Sequence, residues 1–174
     1  MHGAEVVVVT EPGEHAGVEA DAAITFVPGC PLVVRTADCA PVVLSGRQSV
    51  GVVHAGWRGL VDGVIERAVE ALRDLGDPPL VARIGPCIRP GCYEFTGPEL
   101  DVVADRYGPG VRATTTWGTP ALDLPAGVRA ALAPFDLRPD DRSGCTACDE
   151  RWFSHRARGE AGRFATLAWL EPVG

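Results

Sequence analysis

Runs of apolar residues alternate along the chain with short polar, glycine- or proline-containing segments. Six of these runs have the length of β-strands, and they cover Val6–Val9, Ala22–Val27, Pro31–Arg35, Pro41–Leu44, Ser49–Val53 and Leu80–Ile84. Their β-branched content is typical of strands that are buried in a sheet. The segment Ser45–Gln48 predicts a hairpin turn between two of them. A further run, Arg163–Leu170, predicts a last strand that returns to the same sheet.

Helical periodicity is strongest between Leu60 and Leu75. Apolar residues recur there at spacings of three and four, and Gly76 is placed to end the helix. The segments Pro98–Tyr107 and Leu124–Leu132 predict two more helices. Strands outnumber helices without a regular βαβ alternation. The pattern therefore predicts an α+β fold, in which residues 1–174 form a single domain with a mixed β-sheet flanked by helices.

The net charge, the apolar segments and the lack of lysine exclude several classes of function. The formal net charge of −7 argues against a nucleic-acid partner, since such partners are held through phosphate contacts with basic residues. No segment approaches the ~20 apolar residues of a membrane helix, and no signal peptide precedes the first strand, so we expect a cytoplasmic protein without a membrane partner. All 16 basic residues are Arg, which excludes Schiff-base, pyridoxal phosphate and P-loop chemistry that requires a lysine.

Six cysteines raise the question of disulfides or metals. In a reducing compartment we expect free thiols or metal ligands. Cys145 and Cys148 form a C-x-x-C motif, but no second such pair completes a zinc ribbon. The motif is therefore open to two interpretations, a metal or redox site and a pair of ordinary small residues. The cysteines are Cys30, Cys39, Cys87, Cys92, Cys145 and Cys148.

Polar groups follow two of the apolar strands, in the stretches Arg35–Cys39 and His54–Gly59. Cys39 begins one arm of the predicted hairpin and His54 ends the other, so we expect the two side chains to lie close together. A thiol and an imidazole that meet in this way are either a Cys–His nucleophilic pair or half of a zinc site. Taken singly, each has an ordinary alternative: a hydrogen-bonded histidine or a small core cysteine.

The residues around Trp57 favour a phosphate ligand. Gly56 and Gly59 allow a ligand to approach the backbone closely, and the helix predicted after them directs its N–H groups to the same region. Arg58 adds a bidentate donor for an anion. Trp57 either stacks on a flat ring or serves as a core aromatic.

Five motifs together make the sequence similar to a known family. They are ADC, VVHAGWRG, IGPCIRPGCYEF, LDL and CTACDERWFSHRARGEAGRF, and the similarity runs in order from His2 to Leu170. The chain resembles the laccase-domain family, whose members have been described as multicopper polyphenol oxidases, as zinc-dependent purine nucleoside-cleaving enzymes and as a peptidoglycan editing factor.

The resemblance implies a metal site formed by His2, Cys39 and His54. Two His and one Cys leave a position open, as in a catalytic zinc site. The resemblance also implies that Asp21 and Asp38 contact either the ligands or the substrate. Members of the family usually carry several dozen residues before the first of these histidines, including a Gly-rich stretch and an active-site Arg, so we expect this chain to be an N-terminally short form.

The function that the resemblance implies is zinc-dependent phosphorolysis of adenosine and inosine, with adenosine deamination as a companion activity. Its partners would be a purine nucleoside and phosphate, with Arg58 and Asp38 as catalytic residues, and Trp57, Gly56, Gly59 and Asp21 at the substrate. One alternative is copper-dependent oxidation of phenols at the same His2, Cys39 and His54, although four His and a single Met are few for a multicopper site. Another is a non-catalytic role or a role in peptidoglycan-precursor editing. The oligomeric state is not predicted.

Overall fold

The apolar pattern corresponds closely to the strands and helices of the computed structural model, which describes residues 3–172. Within that range the strands are β1 (Val6–Val9), β2 (Ala22–Thr25), β3 (Leu32–Thr36), β4 (Ala40–Ser45), β5 (Val50–Ala55), β6 (Val81–Ile84), β7 (Arg112–Thr114), β8 (Pro120–Leu122) and β9 (Phe164–Ala168). The helices are α1 (Trp57–Asp62), α2 (Val64–Asp74), α3 (Pro98–Tyr107), α4 (Leu124–Leu132) and α5 (His155–Arg158).

The main sheet has five strands in the order β1-β2-β5-β4-β6 among the described residues. β1 and β2 are parallel, whereas the other neighbours are antiparallel. This arrangement confirms the predicted α+β fold with a mixed sheet. It also explains why the apolar runs are so continuous, because both faces of the sheet are covered.

Two apolar clusters lie on opposite faces of the main sheet. On one face Val53 packs with the buried side of α2, which includes Ile65 and Leu72. On the other face Val52 packs with Leu32 of β3. Successive residues of a strand point to opposite faces, so β5 supplies both clusters. The sheet is therefore a middle layer with helices on one side and a smaller sheet on the other.

The last strand is where the predicted topology was wrong. β9 does not join the main sheet but pairs antiparallel with β3 in a separate two-stranded sheet, with Val33 opposite Leu167. Alternate residues of β3 are buried and exposed, so this small sheet packs one face on the core and leaves the other in solvent. An apolar run predicts a strand, but it does not identify the partner of that strand.

The helix predicted over residues 60–75 is two helices. It begins earlier, at Trp57, and it breaks at Gly63, whose φ of 82° lies in the left-handed region that glycine adopts without strain. The short strands β7 and β8 and the one-turn helix α5 were not predicted, because segments of three or four residues carry too little periodicity. No helix in residues 3–172 is long and apolar enough to span a membrane.

Candidate active site

The predicted hairpin is confirmed, and its open end borders a cavity. β4 pairs with β5 so that Ala40 lies opposite Ala55 and Pro41 opposite His54, which places Cys39 and His54 at the same edge of the sheet. Both side chains line a cavity of about 550 Å³. The cavity is lined by Arg35, Thr36, Ala37, Asp38, Cys39, His54, Gly56, Trp57, Arg58, Tyr93, His155, Arg156 and Arg163.

Four arginines face this cavity in a chain whose net charge is −7. The sequence indicates Arg58 as an anion donor and Arg35 only as part of the polar stretch Arg35–Cys39, whereas it gives no site role to Arg156 or Arg163. Arg156 and Arg163 come from the segment SHRARGEAGRF, which is part of the family motif. Guanidinium groups bind phosphate and carboxylate through paired N–H donors. The cavity is therefore suited to an anionic ligand.

Aromatic side chains form one wall of the cavity. Trp57 is half-buried, and its ring lies 5.5 Å from that of Phe95 in an edge-to-face arrangement. The guanidinium carbon of Arg58 lies 4.5 Å from the centre of the Trp57 ring, and that of Arg156 lies 4.9 Å from the centre of the Tyr93 ring. These stacks hold the cations in place. Nη1 of Arg156 also donates to the Glu94 carbonyl oxygen at 3.0 Å, which fixes that guanidinium group further.

Asp38 is buried and holds distant segments together. Its carboxylate accepts hydrogen bonds from the hydroxyls of Thr146 and Ser154 and from the backbone N–H of Arg156, each at 2.7 Å. Its own backbone has a φ of 87°, a left-handed conformation that is strained for a residue other than glycine. Three strong hydrogen bonds stabilise that conformation. Asp38 thereby fixes both the strand that follows it and the helix that carries Arg156.

The Cys39 thiol is not an activated nucleophile. Burial and the adjacent Asp38 carboxylate raise its pKa to about 11, although the Arg163 guanidinium acts in the opposite direction. A nucleophilic cysteine needs a lowered pKa, because the thiolate is the reactive form. Of the two sequence interpretations, the electrostatics therefore favour a metal ligand, since a bound cation displaces the thiol proton.

The donor chemistry at this edge of the sheet fits a zinc ion. A thiol and an imidazole from neighbouring strands open into one cavity, and both are ordinary zinc ligands. The third expected ligand, His2, lies outside the described residues. Within residues 3–172, Cys39 and His54 have no further His, Cys or carboxylate close enough to complete a three-donor group.

Two of the residues selected from the sequence lie away from the cavity. Gly59 is buried within α1, where a Cβ atom would lie 3.0 Å from the Gly3 carbonyl oxygen and 3.3 Å from a methyl carbon of Val64, so its small size serves packing. Asp21 is buried beside β1, where its carboxylate accepts a hydrogen bond of 3.4 Å from the N–H of Glu5. The Asp21 carbonyl accepts one of 2.7 Å from the N–H of His54. Asp21 therefore contacts the backbone of His54.

A second cluster of possible ligands comes from the cysteines that the sequence left open. The thiols of Cys92, Cys145 and Cys148 all lie within 4.8 Å of one another. Burial opposes ionisation of Cys145, but N–H groups of Arg89, Cys148 and Ala147 outweigh it and lower the pKa of that thiol. Burial and the neighbouring Cys148 thiol raise the pKa of Cys92 to about 12. These three sulfur atoms could bind a metal ion.

Comparisons with known proteins agree with the family inferred from the motifs. A family model described as multi-copper polyphenol oxidoreductase laccase matches residues 1–171. A protein of Streptomyces coelicolor named purine nucleoside phosphorylase is 40% identical, and the match covers 98% of this chain and 73% of that protein. A protein of the same name from Xylella fastidiosa is 43% identical over 98% of this chain and 70% of its own length. The crystal structure of the Bacillus licheniformis hypothetical protein YfiH superimposes with a TM-score of 0.87 at 27% identity, covering 98% of this chain and 72% of that one.

Proposed function

The chain belongs to the multi-copper polyphenol oxidoreductase laccase family, and from this premise we propose that it is a zinc-dependent purine nucleoside phosphorylase acting on inosine and adenosine. One observation carries the proposal: a single cavity combines a Cys–His pair with four arginines and an aromatic wall. Relatives named purine nucleoside phosphorylase support it, because that reaction needs a site for phosphate beside a site for a flat base.

In the proposed reaction, a phosphate oxygen forms a bond to C1′ of the ribose while the bond from C1′ to N9 of the purine breaks. The bonding electrons leave with the base, which takes up a proton. Arg58 and Arg156 bind and orient the phosphate, because their guanidinium groups are held by the aromatic wall. Trp57 contacts the purine, and Gly56 allows the substrate to approach the backbone.

The zinc ion in this proposal is held by Cys39 and His54, with His2, outside the described residues, as the third ligand. When bound, it supplies Lewis-acid stabilisation of negative charge that develops on the substrate. The Asp38 carboxylate fixes the loop that carries Cys39 relative to α5, which carries Arg156. Asp38 is therefore a positioning residue. The proposal includes a companion reaction in the same cavity, in which water adds to C6 of adenosine and ammonia leaves.

Copper-dependent phenol oxidation is the weaker alternative. A multicopper cluster draws on many imidazoles, and this sequence contains four His. A purely non-catalytic role would use the same four arginines to bind an anion without cleaving a nucleoside. Both alternatives are outcomes of the assay that follows.

The test measures release of hypoxanthine from inosine by zinc-loaded protein as phosphate is varied. We expect the rate to depend on phosphate. Arg58→Ala should lower kcat/KM for phosphate by about 10- to 100-fold, which is the effect of losing a charge-assisted hydrogen bond. Arg47→Ala is the matched control, because Arg47 lies in the exposed turn between β4 and β5. Equal losses in both variants would contradict the assignment, as would oxidation of phenols without any nucleoside cleavage.

A further inference from the structure

Three of the cysteines outside the cavity form a separate group of thiols. Cys92 ends the 3-10 turn Pro90–Cys92, whereas Cys145 and Cys148 belong to the C-x-x-C turn some fifty residues later. All three are free thiols, and each is at least partly exposed. We propose that Cys92, Cys145 and Cys148 form a second metal site, which binds a thiophilic ion, Zn(II) or Cu(I).

The spacing of the sulfur atoms fits such an ion. Every pair lies within 4.8 Å, and the Cys92 and Cys148 sulfur atoms are 2.8 Å apart. A metal–sulfur bond of about 2.3 Å separates the sulfur ligands of one ion by about 3.8 Å. The observed spacings bracket that distance, so one ion placed among the three sulfur atoms would require only small adjustments of the side chains. Three thiolates satisfy Cu(I) directly and leave a fourth position on Zn(II) for solvent, and the exposed Cys148 provides a path of entry.

The backbone around Cys145 is arranged to support a thiolate. The N–H of Arg89 lies 3.4 Å from the Cys145 sulfur. The N–H groups of Ala147 and Cys148 also contribute to lowering the pKa of the Cys145 thiol. Hydrogen bonds of this kind to a ligand atom orient it and stabilise its charge in metal sites. A cysteine that only packs against its neighbours does not require three N–H donors around its sulfur atom.

A disulfide between Cys92 and Cys148 is the competing use of the same atoms. Their separation of 2.8 Å is longer than the S–S bond of about 2.05 Å. Such a bond would use two sulfur atoms and leave Cys145, with its N–H donors, outside the linkage. A metal ion uses all three sulfur atoms, so the geometry favours the metal, and the disulfide is one outcome of the test.

The position of this cluster gives the metal a structural role. Thr146 lies between the two cysteines of the C-x-x-C turn, and its buried hydroxyl donates to the Asp38 carboxylate at 2.7 Å. An ion that joins this turn to Cys92 would fix the position of Thr146, and through it the position of Asp38 beside the cavity. The ion would therefore stabilise the cavity without touching the substrate.

The experiment loads the reduced protein with Zn(II) or, in a second arm, with Cu(I), and measures metal content after removal of weakly bound ions. The Cys39→Ala variant removes a ligand of the proposed active-site zinc, so the cluster is observed alone. We expect this variant to retain about one ion per chain. Adding Cys145→Ser should weaken binding by more than about 100-fold. Cys30→Ala is the matched control, because Cys30 is buried in the other apolar cluster.

A second readout uses wild-type protein and needs no variant that might fail to fold. Alkylation is followed by mass spectrometry with and without metal, and metal should protect Cys92, Cys145 and Cys148 together. Loss of all bound metal in Cys39→Ala would overturn the proposal, as would metal content in Cys39→Ala that is unchanged when Cys145→Ser is added. Equal alkylation with and without metal, or a Cys92–Cys148 disulfide in a protein that takes up no metal after reduction, would also overturn it. Neither readout depends on nucleoside cleavage, so the two proposals fail separately.

Discussion

At the scale of single residues, Asp38 is the side chain on which the geometry of the cavity depends most. It is 7% exposed, and it accepts three hydrogen bonds from segments more than a hundred residues away in the sequence. Its strained backbone immediately precedes Cys39. A buried carboxylate with three donors fixes the position of its neighbours, and these donors already occupy three of its roughly four acceptor sites.

We predict that Asp38→Asn destabilises the fold by about 1–3 kcal/mol. The amide group presents a donor where three donors already converge, so at least one buried polar group loses its partner. Urea unfolding measures the change in the free energy of unfolding. Asp136→Asn is the control, since Asp136 also has a positive φ of 57° but is exposed. It should change stability by less than about 0.5 kcal/mol. Equal effects in the two variants would show that the hydrogen bonds of Asp38 are not important.

The sequence identified some of the cavity residues but not others, for a physical reason. Cys39 and His54 were paired correctly because a hairpin fixes the register of neighbouring strands. Arg156 and Arg163 were missed because they reach the cavity through long-range packing that no local pattern encodes. Asp21 and Gly59 were selected from motif positions, yet the Asp21 carboxylate accepts a hydrogen bond from the Glu5 backbone, and Gly59 packs closely inside α1. Motifs locate a site in the sequence more reliably than they assign the role of each residue.

At the scale of elements, an ion pair joins the segment that follows β6 to the loop that follows α4. Arg89 donates to both carboxylate oxygens of Asp141, at 2.9 and 2.6 Å, and also to Ser143. The guanidinium group of Arg89 holds the pKa of Asp141 below its usual range. The ion pair is mostly shielded from solvent, with side-chain exposures of 23% and 14%. It anchors the loop that leads to the C-x-x-C turn.

This ion pair predicts a specific dependence of stability on pH. Because the pKa of Asp141 is lower in the folded state, its contribution is complete above the unfolded pKa of about 4 and disappears as the pH falls through the folded value. Asp141→Asn should therefore be less stable than wild type at pH 7, and the difference should shrink in acid. Denaturant unfolding across this pH range measures it.

The control for this prediction is the neighbouring acidic residue. Asp140 pairs with an Arg142 side chain that is 90% exposed, so Asp140→Asn should follow the wild-type profile. A difference between wild type and Asp141→Asn that stays constant from neutral pH into acid would rule out the ion pair as its source.

The helices and strands could be predicted from the sequence where each has its own repeating pattern of apolar residues. α3 and α4 have the predicted bounds, because an amphipathic pattern of nine or ten residues repeats more than twice. The break at Gly63 was missed because the apolar spacing continues across it while the backbone does not. The pairing of β9 with β3 was missed because a short apolar strand fits the edge of either sheet.

At the scale of the whole molecule, the charge distribution distinguishes the cavity from the rest of the protein. The chain carries a formal charge of −7, yet four of its arginines line one cavity beside a Cys–His pair. An acidic surface repels anions in general, whereas a concave patch of guanidinium groups concentrates them locally. This contrast is expected for an enzyme that selects a small anion, and it is the reason that phosphate, rather than water, is proposed as the attacking group.

The most direct test of this account follows the phosphate itself. Zinc-loaded protein is incubated with inosine and isotopically labelled phosphate, and the products are separated. The account predicts labelled ribose 1-phosphate in an amount equal to the hypoxanthine released, and loss of both products in Cys39→Ala. Hypoxanthine accompanied by unlabelled ribose, or no cleavage by a folded and metal-loaded protein, would contradict it.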